Sequence, residues 1–315
     1  MRDARVAVIG ATGAVGSVTM RILRERGFEN VRAFASARSA GSALADGTVV
    51  EEATPEALAA GEIDIALFSV GTEASRELVP HAVRGGAVAI DKSSAYRLER
   101  GIPLVVPEVN GDRVADHDGI LANPNCCTIP LTCILKPLHD AAGLRSVRVS
   151  TYQAASGKGA ARAEQLRQEP VEHHDVGFDW TWEGDETDEE AMIRAETQKV
   201  LELPELRISA TTVRVPVLVG HAEAVWIELG EKLTPEQAEA VLGDAPSVRL
   251  VDTPTPAASA ATDDVLVGRV RRDPAAENGL VLFLACDNLN KGAALNAVQI
   301  AERVLDTAWR PLTSA

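Results

Sequence analysis

The sequence predicts an α/β fold in two parts: a doubly wound parallel sheet, then a second α+β domain. Three observations lead there. From residue 4 to residue 126, short runs rich in Val, Ile, Leu and Ala alternate with segments of helical period, as in βαβ units. The first run ends in three glycines set directly between a strand and a helix. Beyond residue 144 the apolar positions alternate, with Val147 and Val149 separated by polar residues, as in strands buried on one face.

Taken in order, residues 4–10 form the first strand, and residues 19–26 continue a helix that stops at Gly27. Between them Gly10, Gly13 and Gly16 fall as G-x-x-G-x-x-G, a variant of the dinucleotide fingerprint. Such glycines let the backbone of Gly10, Thr12, Gly13, Ala14 and Val15 approach a pyrophosphate lying on the helix N-terminus. The sheet is therefore of the Rossmann type. The second strand, 31–35, runs into Ser36-Ala37-Arg38-Ser39. A site for NAD places Asp or Glu there for the ribose 2′-OH; two serines and an arginine suit a 2′-phosphate, so NADP is expected on Ser36, Arg38 and Ser39. Further strands are expected at 63–70, 87–90, 103–106 and 119–122, with a helix at 72–84. Ser69, Gly71 and Ser93 stand at strand ends on the cofactor edge, and Arg97 follows in a polar loop.

Residues 119–137 form the hinge of the chain. A strand ends at Ala122, Asn123-Pro124-Asn125 turns, and a helix over 127–141 tolerates Pro130 in its first turn. Cys126 therefore sits where a strand gives way to a helix. There the free N–H groups and the positive dipole end favour a thiolate, which is a usable nucleophile. Further on, strands are expected at 146–152, 208–217, 223–229, 265–271 and 280–285. Helices are expected at 160–168, 189–201, 234–242 and 293–308. Residues 169–188 read as an irregular acidic excursion. Glu196 and Lys199 share a helix face, where an ordinary surface ion pair is the plain expectation. Arg214 and His221 flank a hairpin-like connection.

A chain of 315 residues holds about two domains. Its net charge of -15 argues against nucleic acid or an anionic membrane as partner, and no apolar run reaches the roughly 18 residues of a membrane span. No signal-peptide core precedes the first strand, so the cytoplasm is the expected location. Of the four cysteines, Cys126, Cys127 and Cys133 crowd together and Cys286 stands apart. That is no disulfide framework, and with no histidine placed nearby the spacing does not suit zinc; no metal is expected. Cys127 reads as a packed neighbour of the nucleophile.

The residues also carry a family resemblance. The chain resembles aspartate-semialdehyde dehydrogenases over nearly its whole length. The matches are Gly-Ala-Thr-Gly-Ala-Val-Gly at 10–16, Ala-Ser-Ala-Arg-Ser-Ala-Gly at 35–41 and Pro-Leu-Val-Val-Pro-Glu-Val-Asn at 103–110. Then come Asn-Pro-Asn-Cys at 123–126 and Ser-Thr-Tyr-Gln-Ala-Ala-Ser-Gly at 150–157. Arg-Val-Pro-Val at 214–217, Gly-His at 220–221 and Lys-Gly-Ala-Ala-Leu-Asn-Ala-Val-Gln-Ile-Ala at 291–301 complete them.

The resemblance implies Cys126 as nucleophile, His221 as acid/base and Gln153 as the group orienting the acyl carbon. It implies Arg214 for the substrate carboxylate, Glu196 for its amino group, and Arg97, Lys199 and Asn125 for phosphate. Ser156, Gly157 and Asn288 would join the NADP site. The implied domains are an NADP-binding domain at 1–126, completed by the closing segment 290–315, and a catalytic and dimerisation domain at 127–289. The implied reaction is reversible NADPH-dependent reduction of L-aspartyl 4-phosphate to aspartate 4-semialdehyde and phosphate. It passes through a Cys126 thioester and serves lysine/diaminopimelate, threonine, methionine and isoleucine synthesis. A homodimer is implied, or dimers paired into a tetramer.

Departures are Ala222 where the family commonly has serine, Asn290 where a basic residue is common, and a poor match over 169–188 in a short chain. Two alternatives stay open: a related acyl-phosphate reductase, such as one acting on N-acetylglutamyl phosphate, and a catalytically silent nucleotide-binding paralogue. Glu196 and Arg214 favour a substrate with free amine and carboxylate. Retention of Cys126 and His221 speaks against the silent paralogue.

Overall fold

A computed structural model of the chain describes residues 3–307. Two compact units account for it: Met1–Pro124 with Ala293–Ala315, and Asn125–Gly292. Residues 308–315, part of the expected closing segment, lie outside the described residues, as do Met1 and Arg2.

The first unit begins β1 (Val6–Ile9), α1 (Ala14–Glu25), β2 (Val31–Ala35), β3 (Val50–Glu52), α2 (Pro55–Leu58) and β4 (Ile65–Phe68). It continues with α3 (Thr72–Arg84), β5 (Val88–Asp91), α4 (Pro107–Asn110) and β6 (Ile120–Ala122). All six strands pair in parallel, in the order β3-β2-β1-β4-β5-β6. The order reverses direction at β1, and ligands of such sheets bind beyond the strand ends at that switch point. Strands β1, β4 and β5 are buried on both faces, which is why they read as unbroken apolar runs.

One expected strand is absent. Residues 103–106 make a single bridge, Leu104 to Ala122, and no ladder. Prolines at 103 and 107 bracket the run; the first cannot donate, and the second opens α4. Its Val105 is still fully buried, so the apolar signal was core without pairing.

The second unit holds α5 (Thr128–Ala142), β7 (Leu144–Gln153), α6 (Ala160–Gln168), β8 (Trp182–Glu183), β9 (Glu186–Thr187), α7 (Asp188–Leu201), β10 (Arg207–Arg214) and β11 (His221–Leu229). After these come α8 (Pro235–Gly243), β12 (Val248–Leu250), α9 (Pro256–Ser259), β13 (Val265–Arg272) and β14 (Gly279–Cys286). Its mixed sheet has the order β10-β7-β11-β14-β13-β12. Strands β10 and β11 are therefore not a hairpin, as their closeness in sequence suggested: β7 lies between them, parallel to β10 and antiparallel to β11. The segment 169–188, expected to be irregular, includes the small hairpin of β8 and β9.

The chain returns to the first unit through a π-helical turn at Asn290–Leu295 and α10 (Asn296–Asp306). There Asn296 donates to Val105 O (3.0 Å) and Asn123 Oδ1 (2.8 Å), and the α10 face of Val298, Ile300, Ala301 and Val304 is buried in the same core as β1. No helix among the described residues is long and apolar enough to cross a membrane.

Candidate active site

Register in the second sheet gathers the site. Arg214 is paired with Gln153 across the β10–β7 ladder, and Ala222 with Tyr152 across β7–β11, one step short of His221 and Gln153. His221 is paired in turn with Cys286 on β14. Arg214, Gln153 and His221 thus stand side by side at one end of three strands, and all three are buried. Alternation puts Gln153 on the face that buries Val147, Val149 and Thr151.

Cys126 lies just ahead of α5, partly exposed, while Cys127 is fully buried. Asn125 fixes this turn: its Oδ1 accepts Cys127 N–H at 2.8 Å and its Nδ2 donates to Glu189 at 3.0 Å. Its own N–H donates to Glu196 at 2.6 Å. The two Cys sulfurs and a His221 ring nitrogen lie within 4.8 Å of one another. A hydrogen bond from the Cys127 thiol, followed by the nearby His221 ring and the Arg214 charge, holds the Cys126 thiol well below the usual thiol range although desolvation opposes this. Burial pushes Cys127 the other way, so its proton stays on. Cys126 therefore ionises far more readily than Cys127.

His221 Nδ1 accepts Ala154 N–H at 2.9 Å. A neutral ring so held carries its proton on Nε2, and Nε2 has no partner among the described residues. The same tautomer bears on the expectation that no histidine accompanies the cysteines. The fold does bring one, although 94 residues separate it in sequence from Cys127, so the trio has the look of a metal site. Its nitrogen, however, offers an N–H where a cation needs a lone pair, and we assign no ion to it.

Gly157 provides the room beside the ring. A Cβ there would lie 2.9 Å from Arg214 Nη1 and 3.1 Å from His221 Nε2. Gly157→Ala should therefore displace two side chains that are pinned elsewhere. A misplacement of this kind is expected to cost about 10²-fold in kcat/KM while the melting temperature moves little. Steady-state kinetics and a thermal melt check it; unchanged kinetics would mean the pocket is looser than these distances.

In the first unit Gly10 has φ +87, and a Cβ on Gly16 would lie 2.0 Å from Gly10 O. These two positions therefore admit only glycine. Gly13 is the N-cap of α1 and provides no side-chain cap, so the helix end keeps N–H groups for a pyrophosphate. Ser36 and Arg38 are exposed just past β2 and Ser39 is half-buried. These residues fit a dinucleotide with a 2′-phosphate.

Two models of known families match the chain: the semialdehyde dehydrogenase NAD binding domain over residues 5–117, and the semialdehyde dehydrogenase dimerisation domain over 135–291. The aspartate-semialdehyde dehydrogenase of Corynebacterium melassecola is 43% identical, over 94% of this chain and 98% of that protein. That of Bacillus subtilis is 40% identical, over 96% and 97%. The chain belongs to the aspartate-semialdehyde dehydrogenase family. A crystal structure of aspartate semialdehyde dehydrogenase II from Vibrio cholerae, complexed with ASA, superposes with a TM-score of 0.92 at 37% identity, covering 98% of this chain and 99% of that one.

Within this family member the other expected residues are placed as follows. Glu196 is fully buried on α7 rather than on its solvent face, and Lys199 is half-buried one turn on. Asn288 accepts Gly220 N–H at 2.9 Å and donates to Ser156 Oγ at 3.0 Å, so these two join the loop carrying His221. Arg97, in the first unit, is buried and donates to Asn123 O at 3.0 Å and Lys92 O at 2.7 Å. Gly292, from the Lys-Gly-Ala-Ala match, packs on Cys126: a Cβ there would lie 3.2 Å from Cys126 O.

Three residues escaped the sequence reading. Glu189 accepts from both Asn125 and Gln153 (3.0 and 2.9 Å), locking the Cys126 turn to the β7 end. A carboxylate seven residues before Glu196, on the same helix face, was the available signal. A capping box of Thr187 and Glu190 starts that helix, and Glu190 also accepts Thr212 N–H from β10 at 2.9 Å. Glu223 is fully buried, with neither oxygen partnered among the described residues. Burial, then the charge of Cys126, pushes its carboxyl well up, toward the neutral form. Asp179, from the segment read as irregular, accepts from Arg214.

Proposed function

We propose that this chain catalyses the reversible NADPH-dependent reduction of L-aspartyl 4-phosphate to aspartate 4-semialdehyde and inorganic phosphate, through a thioester on Cys126. The observation that carries this reading is the gathering of Cys126, His221, Gln153 and Arg214 in one unit of a family member. The Cys126 thiolate attacks the acyl carbon, and phosphate leaves with the electron pair of the C–O bond, giving the thioester. Gln153, its amide locked between Arg214 and Glu189, orients that carbonyl. His221 works through Nε2: it donates to the oxygen on which negative charge develops. To act as a base at Nε2, the ring must first move its own proton to Nδ1 and give up the Ala154 bond. NADP supplies or takes the hydride when bound, and we assign it to Gly10, Thr12, Gly13, Ala14, Val15, Ser36, Arg38 and Ser39, with Ser156, Gly157 and Asn288. Arg214 is proposed to hold the substrate carboxylate, Glu196 its amine, and Arg97, Lys199 and Asn125 the phosphate.

A cytoplasmic homodimer, or dimers paired into a tetramer, completes the proposal. Tyr152, Trp226 and Phe283 stay half-buried on the sheet of the unit that matches a dimerisation domain, which supports self-association.

The reading is tested by NADPH formation from aspartate 4-semialdehyde, NADP and phosphate, with N-acetylglutamate semialdehyde as the rival substrate. Activity on the first that a thiol reagent abolishes is expected; preference for the second would replace the reading with its alternative. Arg38→Ala should weaken NADP by about 10- to 100-fold and NAD hardly at all, because charge-assisted bonds to a phosphate are lost. Fluorescence titration with both nucleotides checks it, and equal losses would place the 2′-phosphate elsewhere.

A further inference from the structure

The Nε/Nη2 edge of Arg214 is already held by a carboxylate of the chain itself. A guanidinium has five N–H donors. Nη1 donates to Gln153 Oε1 at 3.3 Å and to Ala154 O at 3.0 Å. Nε and Nη2 both donate to one oxygen of Asp179, at 3.3 and 3.2 Å. One N–H of Nη2 is left. A carboxylate bound as a fork needs two donors on one edge, so Asp179 and a substrate carboxylate cannot both hold the Nε/Nη2 edge.

The segment bearing Asp179 is laid along the end of β10. Gly177 and Arg214 exchange two backbone hydrogen bonds of 2.8 Å each, and the Trp180 ring covers the guanidinium with its centre 4.6 Å away. Lys158 Nζ lies 3.2 Å from the second Asp179 oxygen. Burial pushes the Asp179 carboxyl up, but Arg214 and Lys158 outweigh it and bring it below the usual range, so it is charged at neutral pH. The apolar side chains of the segment add little hold: Val176, Phe178 and Trp182 are 54%, 52% and 60% exposed. A cleft of about 260 Å³ beside the contact, lined in part by Arg162, Asp175, Gly177 and Pro216, leaves room for the segment to move. Polar fastenings over little buried apolar surface mark a segment that opens at low cost.

We propose that Asp179 is a specificity-determining residue, a built-in competitor for the substrate carboxylate, carried on a strap of residues 175–182. A ligand that brings its own carboxylate to Arg214 displaces the strap; an aldehyde without one leaves it shut. The proposal rests on the reading of Arg214 as the carboxylate anchor.

Steady-state kinetics with aspartate 4-semialdehyde on Asp179→Asn, Asp179→Glu and Arg214→Lys, each checked by thermal melt, test it. If the strap is shut about nine-tenths of the time, Asp179→Asn lowers KM about tenfold with kcat held. A strap that loosens altogether in this variant gives the same fall. Asp179→Glu keeps the competing charge and should stay within about threefold of the parent, in line with a modest change in the strength of one ion pair. Arg214→Lys should raise KM, for it loses the fork. An unchanged or raised KM in Asp179→Asn overturns the strap, since a residue that binds the substrate amine or supports Arg214 would give that result. So does a fall in Asp179→Glu equal to that in Asp179→Asn. If Arg214→Lys leaves KM unmoved, the anchor reading itself fails; if it raises KM while Asp179→Asn does not lower it, the strap alone fails.

Discussion

Cys126→Ala should leave no measurable turnover, a loss on the order of 10⁴–10⁶, while NADP still binds. No other group of the site can form the acyl bond. Cys127 is fully buried and its thiol is held protonated, so it cannot stand in for its neighbour. Cys127→Ala should therefore retain most of the activity. It also removes the hydrogen bond that most favours the Cys126 thiolate, so the pH at which that thiolate forms should rise. The sign follows from the direction of the shift. A group with a lowered pKa is charged above that value and loses its charge as pH falls through it. In the parent protein the rate of Cys126 alkylation by iodoacetamide should already be flat across neutral pH, well below the ordinary thiol value of about 8.5. In Cys127→Ala the plateau should begin at higher pH. Alkylation that climbs tenfold per pH unit through neutrality in the parent would mean that the resting group is a thiol. Full activity in Cys126→Ala would remove the covalent route.

His221→Asn should be the next largest loss, about 10²–10⁴ in kcat with KM nearly unchanged. The ring reaches the site with one nitrogen only, because Nδ1 is held by Ala154 N–H. Asparagine is short enough to leave Nε2 unreplaced. Arg214 is fastened to Gln153, Ala154 and Asp179 rather than to the ring, so the carboxylate anchor proposed for it should survive the change. If the variant mainly raises KM while kcat holds, His221 is a binding residue, and the proton must be handled elsewhere. Glu223, two residues away on the same strand face and with its carboxyl pushed up by burial, would then be the first place to look.

Much of the fold could be read from the chain because its periods are clean. The strand Val31–Ala35 and the helices Thr72–Arg84 and Ala160–Gln168 have the bounds expected from their apolar spacing. At the site, the strand–helix turn of Cys126 could be read from spacing, whereas the roles expected of His221 and Arg214 came only from the family resemblance. Pairing was not legible. Arg214 and His221 are near in sequence, which suggested a hairpin, yet the fold inserts β7 between their strands, and that insertion is what places Gln153 between them. Local periodicity has no information on which strand lies beside which. The run 103–106 failed for a related reason, since burial alone does not make a ladder. Glu189, Glu223 and Asp179 went unseen because a buried carboxylate reads in sequence like any surface acid until its partners are known.

The thioester is the centre of the account, and one measurement reaches it directly. Mix the parent protein with NADP and aspartate 4-semialdehyde in phosphate-free buffer, follow absorbance in a stopped-flow cell, and then add phosphate. A burst of one NADPH per active site, a stall with Cys126 acylated, and renewed turnover once phosphate is present are the expected result. Steady NADPH formation that ignores phosphate, or a full-sized burst in Cys126→Ala, would contradict it.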